Sequence, residues 1–394
     1  MKKTFLMLVA TITLHACGEN DKNGDTATAS PDDVEETSTE NPVPEPIPAE
    51  STSGNYSYEV VVSDMQIPWG FTFLPDGSML ITEKSGDIIH FKDGNKQQIK
   101  GVPEVYDRGQ GGLLDIVLHP DYENNGWIYI SYASPEGSEE GGNTAIMRAK
   151  LENGSFTNKE VLYKAGPNTT KGQHFGSRIV FDKEGYLYFS SGDRGARDEN
   201  PQDITRDNGK IYRLNDDGSI PDDNPFTDND AAKKAIFSYG HRNPQGIILN
   251  PETGEVWVHE HGPQGGDEIN VIKRGENYGW PEVTYGENYG GGAITDQTSN
   301  PEMEDPIFYW LPSIAPSGMA YITSNKFPDL KGDLLVGSLK FQYIEHLTLN
   351  GKKVEKRERI LEDIGRVRDI RQGQDGEIYA AIEGTGIIKL TTEE

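Results

Sequence analysis

The sequence has a single cysteine, Cys17, in 394 residues. One cysteine excludes intrachain disulfide bonds, cysteine-rich zinc sites, iron–sulfur clusters and a covalently attached c-type haem. Any electrons that the protein handles must therefore pass to a separate carrier.

Positive charge is also scarce. Lys and Arg number 37 against 64 Asp and Glu, which gives a formal net charge of −27. Nucleic-acid binding depends on clustered cations that neutralise phosphates, so this composition argues against a nucleic-acid partner. Hydrophobic residues make up 34 % of the chain and glycines number 45, which is sufficient for a globular core.

Long hydrophobic runs are missing, and the apolar stretch at residues 4–13 is too short to span a bilayer. It follows Lys2 and Lys3 and ends at Leu-His-Ala-Cys, which resembles the lipobox of bacterial lipoproteins. We therefore predict that residues 1–17 are a lipoprotein signal peptide and that Cys17 carries the lipid. The protein would then be exported and held by its lipid alone at the outer membrane of a Gram-negative bacterium, on the periplasmic or surface face. The alternative is an ordinary secretory signal with an incidental cysteine.

Residues 18–56 are rich in Ser, Thr, Pro, Asp and Glu, with Val34, Val43 and Ile47 as their large aliphatic residues. Ten acidic residues stand against one lysine in this segment. Such a composition buries too little apolar area to offset the entropy of ordering the chain. We predict a disordered tether between the anchor and a folded domain at residues 57–394.

The folded part repeats a pattern of an aliphatic run, a tight turn and a second Leu, Ile or Tyr-rich run. The six instances are residues 70–81, 115–130, 178–189, 245–258, 319–336 and 369–381. Their spacing of about 60 residues leaves room for a four-stranded unit in each repeat. The pattern predicts an all-β fold, a six-bladed β-propeller. A pair of β-sandwiches would explain the turns but not the sixfold recurrence. A cluster of Ala, Lys and Phe predicts a short helix near residues 230–237.

Glycine-rich polar clusters lie between the repeats, at residues 109–112, 173–176, 240–244, 260–263, 338–340 and 365–369. A propeller gathers loops from different blades at the mouth of its channel, so a ligand site there would draw on one cluster per blade. The clusters and their order resemble those of the glucose/sorbosone dehydrogenase family, specifically the soluble aldose sugar dehydrogenases that use pyrroloquinoline quinone (PQQ). The resemblance extends from Tyr58 to the C-terminus and implies the same six-bladed fold.

The resemblance assigns three residues to the reaction and the sugar. His174 stands at the position of the catalytic base, while Gln110 and Gln173 stand at the substrate pocket. Gln173 stands where the better-known glucose dehydrogenase branch has an Asp, so the two differ at the sugar pocket. The structural alternative for His174 is a histidine bonded to a loop carbonyl, and that for Gln110 is a simple turn residue.

The resemblance assigns a second group to the cofactor. Arg242 and Asn243 match the pair that contacts the quinone, and Arg242 would also stabilise charge during the reaction. His261 stands where the family has a cofactor-contacting glutamine. The cations that would hold the carboxylates of PQQ are Lys340, Arg366 and Arg368, and arginine suits this task because its planar fork matches a carboxylate. Trp310 is an insecure match to the family's stacking tryptophan, because an extra residue precedes Pro312.

Calcium is the second implied cofactor. By resemblance, the carbonyl groups of Gly262 and Pro263 hold a calcium ion that touches the quinone. Glu268 and the carbonyl group of Tyr278 match a second, structural calcium site. Glycine-rich turns expose carbonyl oxygens, which Ca²⁺ accepts as ligands. An acidic hairpin turn is the structural alternative for Asp267 and Glu268.

The implied activity is oxidation of the C1 hydroxyl of an aldose sugar to a lactone, with electrons passed to an external quinone or cytochrome. A calcium-dependent propeller lactonase or other hydrolase is one alternative, but it would not need the three cations for a tricarboxylate. A non-catalytic cell-surface propeller that binds glycan or protein is the other, and it would be expected to lose His174 or those cations. A calcium-bearing dimer contact of one branch has no clear match, which favours a monomer.

Overall fold

Short β-strands joined by turns and several long loops form the described chain, which covers residues 46–52 and 55–392 of a computed structural model. Strand β1 is Glu50–Ser51 and β2 is Tyr56–Val62. Blade 1 contains β3–β6, at Pro68–Phe73, Met79–Glu83, Ile88–Lys92 and Asn95–Gln98. Blade 2 contains β7–β10, at Leu113–Leu118, Trp127–Ser134, Asn143–Glu152 and Ser155–Lys164. Blade 3 contains β11–β14, at Ile179–Phe181, Leu187–Ser191, Lys210–Leu214 and Ile236–Tyr239.

The remaining three sheets include the two strands from the N-terminal side. Blade 4 contains β15–β18, at Pro244–Leu249, Val256–Glu260, Asp267–Val271 and Phe308–Trp310. Blade 5 contains β19–β22, at Pro316–Tyr321, Leu334–Ser338, Ile344–Asn350 and Lys353–Leu361, with β1 added in parallel to β22. Blade 6 contains β23–β25, at Val367–Gln372, Ile378–Ile382 and Gly386–Thr392, and its outer strand is β2.

The six sheets form a closed ring. The first strand of each blade packs against the first strand of the next, and β23 of blade 6 packs against β3 of blade 1. The pairing of β2 with β25 joins the two ends of the folded chain in one sheet. The predicted six-bladed β-propeller is confirmed, and the six sequence repeats coincide with the first two strands of the six blades.

The hydrophobic core lies between neighbouring sheets. Leu80 of blade 1 packs in one cluster with Ile116 and Ile130 of blade 2. Leu335 of blade 5 and Ala380 of blade 6 belong to another cluster of the same kind. Because each interface buries one face of two sheets, every blade depends on both of its neighbours for a complete core.

Charged residues tie three blades together at the innermost strands. The Arg178 side chain is 3 % exposed, and its Nη1 lies 3.2 Å from Asp115 Oδ1 and 3.1 Å from Asp369 Oδ1. Arg371 Nε lies 2.8 Å from Asp369 Oδ2, and the Arg178 guanidinium lies 4.1 Å from the centre of the Trp69 ring. Removing one partner of such a buried set leaves an uncompensated charge, at a cost of about 3–5 kcal/mol.

The helix predicted near residues 230–237 is not formed, and that prediction was wrong. Turns lead directly into β14, whose Ile236 pairs with Tyr212 of β13. This pairing outweighs the weak helix preference of the local sequence. The one α-helix among residues 46–52 and 55–392 is α1 (Tyr122–Asn125), a single turn between β7 and β8.

The predicted signal peptide, the lipidation site Cys17 and tether residues 18–45 lie outside the described residues. The last part of the predicted tether contacts the propeller. Ile47 packs against the core between blades 4 and 5, its carbonyl accepts a 2.7 Å hydrogen bond from Arg357 Nη1, and β1 pairs with β22. Within the described ranges, no helix has the length and apolar character needed to cross a membrane.

Candidate active site

The predicted site residues come from two kinds of loop that open at the same end of the propeller. Gln110, His174, Arg242 and Arg366 precede the first strand of their blades, while His261 and Lys340 follow the second strand. The first two strands of a blade are antiparallel, so the start of one lies beside the end of the other. The ring therefore collects all these positions around one mouth of the channel.

A cavity of about 300 Å³ lies at this mouth. Three predicted residues line it, namely His174, Arg242 and Pro263. Asp193 and Trp280, which the sequence analysis did not identify, line it as well. The cavity thus combines a histidine with carboxylate, guanidinium and aromatic groups.

His174 forms a dyad with Asp193, with 2.6 Å between His174 Nδ1 and Asp193 Oδ1. Asp193 is 1 % exposed, and its carboxylate also accepts hydrogen bonds from Gly195 N at 2.6 Å and Trp280 Nε1 at 2.9 Å. An ionised carboxylate can only accept hydrogen bonds. Nδ1 of His174 therefore carries the proton, and Nε2 keeps the lone pair of the neutral ring.

The ionisation of the dyad follows from its surroundings. Burial lowers the pKa of His174 below its ordinary value, the charge of Arg242 adds to this, and the bond to Asp193 opposes only part of the shift. Burial alone would raise the pKa of Asp193, but the hydrogen bond from His174 and the charge of Arg242 hold that pKa below its ordinary value. Near neutral pH the pair is thus a neutral imidazole beside a carboxylate, which is the form a general base requires.

The backbone of His174 is held in an unusual conformation, with φ at +56°. Gln110 Oε1 accepts a 2.7 Å hydrogen bond from the backbone N–H of His174. The Gln110 loop approaches closely because Gly109, at φ +61°, has no side chain; a Cβ there would lie 2.3 Å from Gly172 O. A non-glycine residue keeps such a strained φ only where its surroundings hold it there, as active sites often do. Gln110 thus supports the His174 loop.

Arg242 is fixed on the wall of the cavity. Its backbone N–H donates to Glu260 Oε2 at 2.6 Å, and its Nη1 donates to the His261 carbonyl at 3.0 Å. The guanidinium carbon lies 5.3 Å from the centre of the Trp280 ring. Asn243 is fully buried, and within the described chain its Nδ2 has no hydrogen-bond partner. An unsatisfied buried amide of this kind costs about 1–3 kcal/mol, so a ligand that accepts from it would be bound more tightly.

Three further predicted residues do not line this cavity, namely Gln173, His261 and Trp310. The Gln173 side chain is exposed and does not line the cavity, and its carbonyl accepts a hydrogen bond from Arg194. His261 Nε2 donates to the Pro316 carbonyl at 2.8 Å, and burial lowers the pKa of His261 well below its ordinary value. Trp310 is fully buried and donates to Glu345 at 2.6 Å. The tryptophan that lines the cavity is Trp280.

The three predicted cofactor cations lie outside the lining of this cavity. Arg366 and Arg368 converge on one carboxylate, that of Glu383, which follows β24; Arg366 Nε lies 2.9 Å from Glu383 Oε2. Arg366 also donates to the carbonyl of Leu339, next to Lys340, at 3.0 Å. Arg366 of blade 6 thus lies beside the turn of blade 5 that carries Lys340, and Glu383 offsets part of the charge of Arg366 and Arg368.

The predicted calcium ligands divide between two spaces. Pro263 lines the large cavity, while Gly262, Glu268 and Tyr278 line a neighbouring space of about 10 Å³ together with Glu260. Burial raises the pKa of Glu268 well above its ordinary value, and the negative charge of Glu260 raises it further. Glu260 and Glu268 are cross-strand partners in β16 and β17, and a cation bound beside them would favour the ionised form of Glu268.

In the part of the chain that the structure describes, no three His, Cys, Asp or Glu side chains cluster as a metal site. The predicted ligands at Gly262, Pro263 and Tyr278 are backbone carbonyl groups, which do not belong to such a side-chain cluster. Calcium binding therefore stays a prediction. Asp267, which the sequence analysis weighed as part of an acidic turn, is 1 % exposed and accepts hydrogen bonds from Gly262 N and Ala315 N, both at 2.8 Å. It shapes the Gly262 turn from within the fold.

Comparison with known proteins gives a consistent assignment. The model of the glucose/sorbosone dehydrogenase family matches residues 65–389. The chain is 42 % identical over 329 residues to the aldose sugar dehydrogenase YliI of Escherichia coli, a match that covers 82 % of this chain and 88 % of that relative. The crystal structure of the soluble aldose sugar dehydrogenase of E. coli in its apo form has a TM-score of 0.83 and 39 % identity, and covers 86 % of this chain and 100 % of that one.

A third relative is known with its cofactor. The PQQ-bound form of the aldose sugar dehydrogenase of Streptomyces coelicolor has a TM-score of 0.70 and 27 % identity, and covers 86 % of this chain and 99 % of that one. The family model spans most of the folded chain, and the relatives share its six-sheet ring over nearly their whole length. The chain belongs to the glucose/sorbosone dehydrogenase family.

Proposed function

We propose that the protein is a PQQ- and calcium-dependent dehydrogenase that oxidises the C1 hydroxyl of aldose sugars to lactones. The observation that carries this proposal is the His174–Asp193 dyad at the cavity, with Arg242 and Trp280 on the same wall. Relatives named as aldose sugar dehydrogenases support the substrate class. The electrons pass to an external acceptor, because the chain has one cysteine and cannot bind an iron–sulfur cluster or a covalent haem.

The chemistry of this chain starts at His174. Its Nε2 accepts the proton of the sugar C1 hydroxyl, and Asp193 stabilises the imidazolium that results. Arg242 places a positive charge beside the position where negative charge develops. When bound, the quinone supplies the acceptor for the C1 hydride and calcium supplies a Lewis acid that polarises it. Loss of one proton and one hydride converts the cyclic sugar to its lactone.

The residues present fit PQQ. The unsatisfied Nδ2 of Asn243 offers a hydrogen-bond donor next to Arg242. Lys340, Arg366 and Arg368 supply cations in a strongly acidic protein, as a tricarboxylate would require. The PQQ-bound form of a relative supports the same cofactor for this chain. Glu268 and Glu260 beside the small space near Tyr278 fit an oxygen-coordinated cation such as calcium.

Dye reduction tests the proposal. Purified apo-protein would be given an aldose and an artificial electron acceptor, with PQQ and Ca²⁺ together, with each alone, and with neither. We expect turnover only with both, and the product trapped as a hydroxamate should be the lactone. His174→Gln, loaded in the same way, is the matched control and should be nearly inactive. Hydrolysis of a lactone without PQQ, and no dye reduction with it, would instead identify a propeller hydrolase.

A further inference from the structure

The loop between β12 and β13, residues 192–209, supplies much of the active-site wall. Asp193 and residues 195–199 of this loop line the cavity. The loop lies outside the β-ladder, since the pairing of β12 with β13 ends at Ser191 and Lys210. Backbone hydrogen bonds, such as that from Asp193 N to the Arg242 carbonyl at 2.8 Å, hold part of its conformation. Side-chain contacts hold the rest, and one buried residue provides three of them.

That residue is Lys210, the first residue of β13, which is fully buried. Its Nζ donates hydrogen bonds to the carbonyl groups of Asn200 at 2.6 Å, Asn208 at 2.8 Å and Pro201 at 3.1 Å. Burial lowers the pKa of Lys210 to about 7, but three carbonyl acceptors require three donors, and only the ammonium form has them. Hydrogen bonds to a charged donor are worth roughly twice those between neutral groups. Lys210 thus binds the middle of the loop to its end.

A short series of contacts connects Lys210 with the base. Asn200, whose carbonyl binds Lys210, donates from its Nδ2 to the carbonyl of Asp193 at 3.0 Å. Asp193 in turn holds His174 Nδ1. Three consecutive hydrogen bonds therefore lead from the Lys210 ammonium to the imidazole.

We propose that Lys210 is a positioning residue for the active site, whose buried ammonium holds the loop of Asp193 so that Asp193 can orient His174. The effect of Lys210 on catalysis rests on the proposed function, but the hydrogen bonds from Lys210 to His174 are present without sugar or cofactor. The contacts assign Lys210 no part in the proton transfer itself.

The test measures the pKa of His174 in the full-length apo-protein by NMR of ¹⁵N-labelled histidine. The chain has eight histidines, and the His174 signal is identified by its absence from His174→Gln. Asp193 raises the pKa of His174, while burial, Arg242 and Arg194 lower it. Lys210→Met keeps the length of the side chain and removes its donors, so a displaced Asp193 should lower the pKa of His174 by about one unit.

Two further variants complete the test. Asn200→Ala removes the contact with Asp193 but leaves Lys210 in place, and it should shift the pKa of His174 in the same direction. It decides the question if Lys210→Met fails to fold. Lys233→Met is the matched control, because Lys233 Nζ lies 3.2 Å from Asp207 Oδ2 of the same loop, but its side chain is 44 % exposed, and an exposed ion pair contributes little to holding a loop in place. It should leave the pKa of His174 unchanged.

The loaded enzyme gives a second readout. In Lys210→Met, kcat should fall about tenfold or more, the acidic limb of the pH–rate profile should move to lower pH, and the affinity for PQQ should stay unchanged. A folded Lys210→Met or Asn200→Ala protein with the wild-type pKa at His174 would overturn the inference. If wild-type protein oxidises no sugar, the proposed function fails, while the titration of His174 in the apo-protein still decides the positioning role.

Discussion

Replacing Asp193 with Asn is the most direct test of the dyad. The Asp193 carboxylate accepts three hydrogen bonds, from His174 Nδ1, Gly195 N and Trp280 Nε1. Asparagine has nearly the same shape, but only one of its two terminal atoms is an acceptor. Asp193→Asn must therefore leave one of the three donors facing an NH₂ group, or allow His174 to adopt the other tautomer with its proton on Nε2.

The size of the effect follows from these contacts. With the proton on Nε2, His174 cannot accept a proton from the sugar, so the contribution of a positioned base is lost, a factor of about 10²–10⁴ in kcat. One unsatisfied buried donor costs about 1–3 kcal/mol of folding free energy. Asp193 contacts Arg242 through its backbone N–H, which donates to the Arg242 carbonyl at 2.8 Å, and the substitution keeps that hydrogen bond. The affinity for PQQ should therefore change little.

The assay separates these quantities. Dye reduction at saturating aldose gives kcat, fluorescence titration of apo-protein with PQQ gives the cofactor Kd, and a thermal melt gives stability. Asp203→Asn is the control, since Asp203 lies on the same loop but accepts from Thr205 N at 2.8 Å and does not line the cavity. An Asp193→Asn enzyme that is folded, loaded with PQQ and as fast as wild type would show that Asp193 does not orient a base.

Four further outcomes are expected. Arg366→Ala should weaken PQQ binding by about 1.5–3 kcal/mol in a titration, because a charge-assisted contact is lost. Its kcat at saturating PQQ should be unchanged, and an unchanged affinity for PQQ would exclude Arg366 as a ligand. Burial and Arg242 lower the pKa of His174, so kcat/KM should persist below pH 6.5 and fall only at lower pH as the ring is protonated. Chelation of calcium should lower the melting temperature, since calcium at a hundredfold excess over its Kd adds about 2.7 kcal/mol to the free energy of unfolding. An unchanged melting temperature in protein shown to have lost its metal would contradict the structural calcium site. Cys17→Ala should abolish partitioning into detergent, and unaltered membrane association would refute the lipoprotein prediction.

The repeats of the fold were predictable from the sequence. Residues 70–81, 178–189 and 369–381 each form the first two strands of a blade. A β-hairpin depends on alternating side chains and on turn residues a few positions apart, and these are local properties of the chain. Six such hairpins in series predict six blades.

The closure of the ring and the ends of the elements depended on tertiary contacts. The pairing of β2 with β25 joins residues more than three hundred positions apart, for example Tyr56 with Thr392. Residues 46–52, of low hydrophobicity, are held by β22 and Arg357. Ile236–Tyr239 became a strand because β13 offered it a partner. Such pairings have no counterpart in the neighbouring sequence, so composition alone suggests a tether or a helix there.

The sequence by itself determined which loops carry the site, and it identified His174, Arg242 and Pro263 as residues that line one cavity. It did not distinguish Asp193 and Glu383 among the 64 acidic residues of the chain. A carboxylate becomes functional through what lies against it, and the partner of Asp193 is nineteen positions away while Trp280 is eighty-seven positions away. The pairing of β11 with β12 brings Asp193 beside His174, and the packing of blade 3 against blade 4 adds Trp280. The burial that results sets the ionisation on which the proposed chemistry depends.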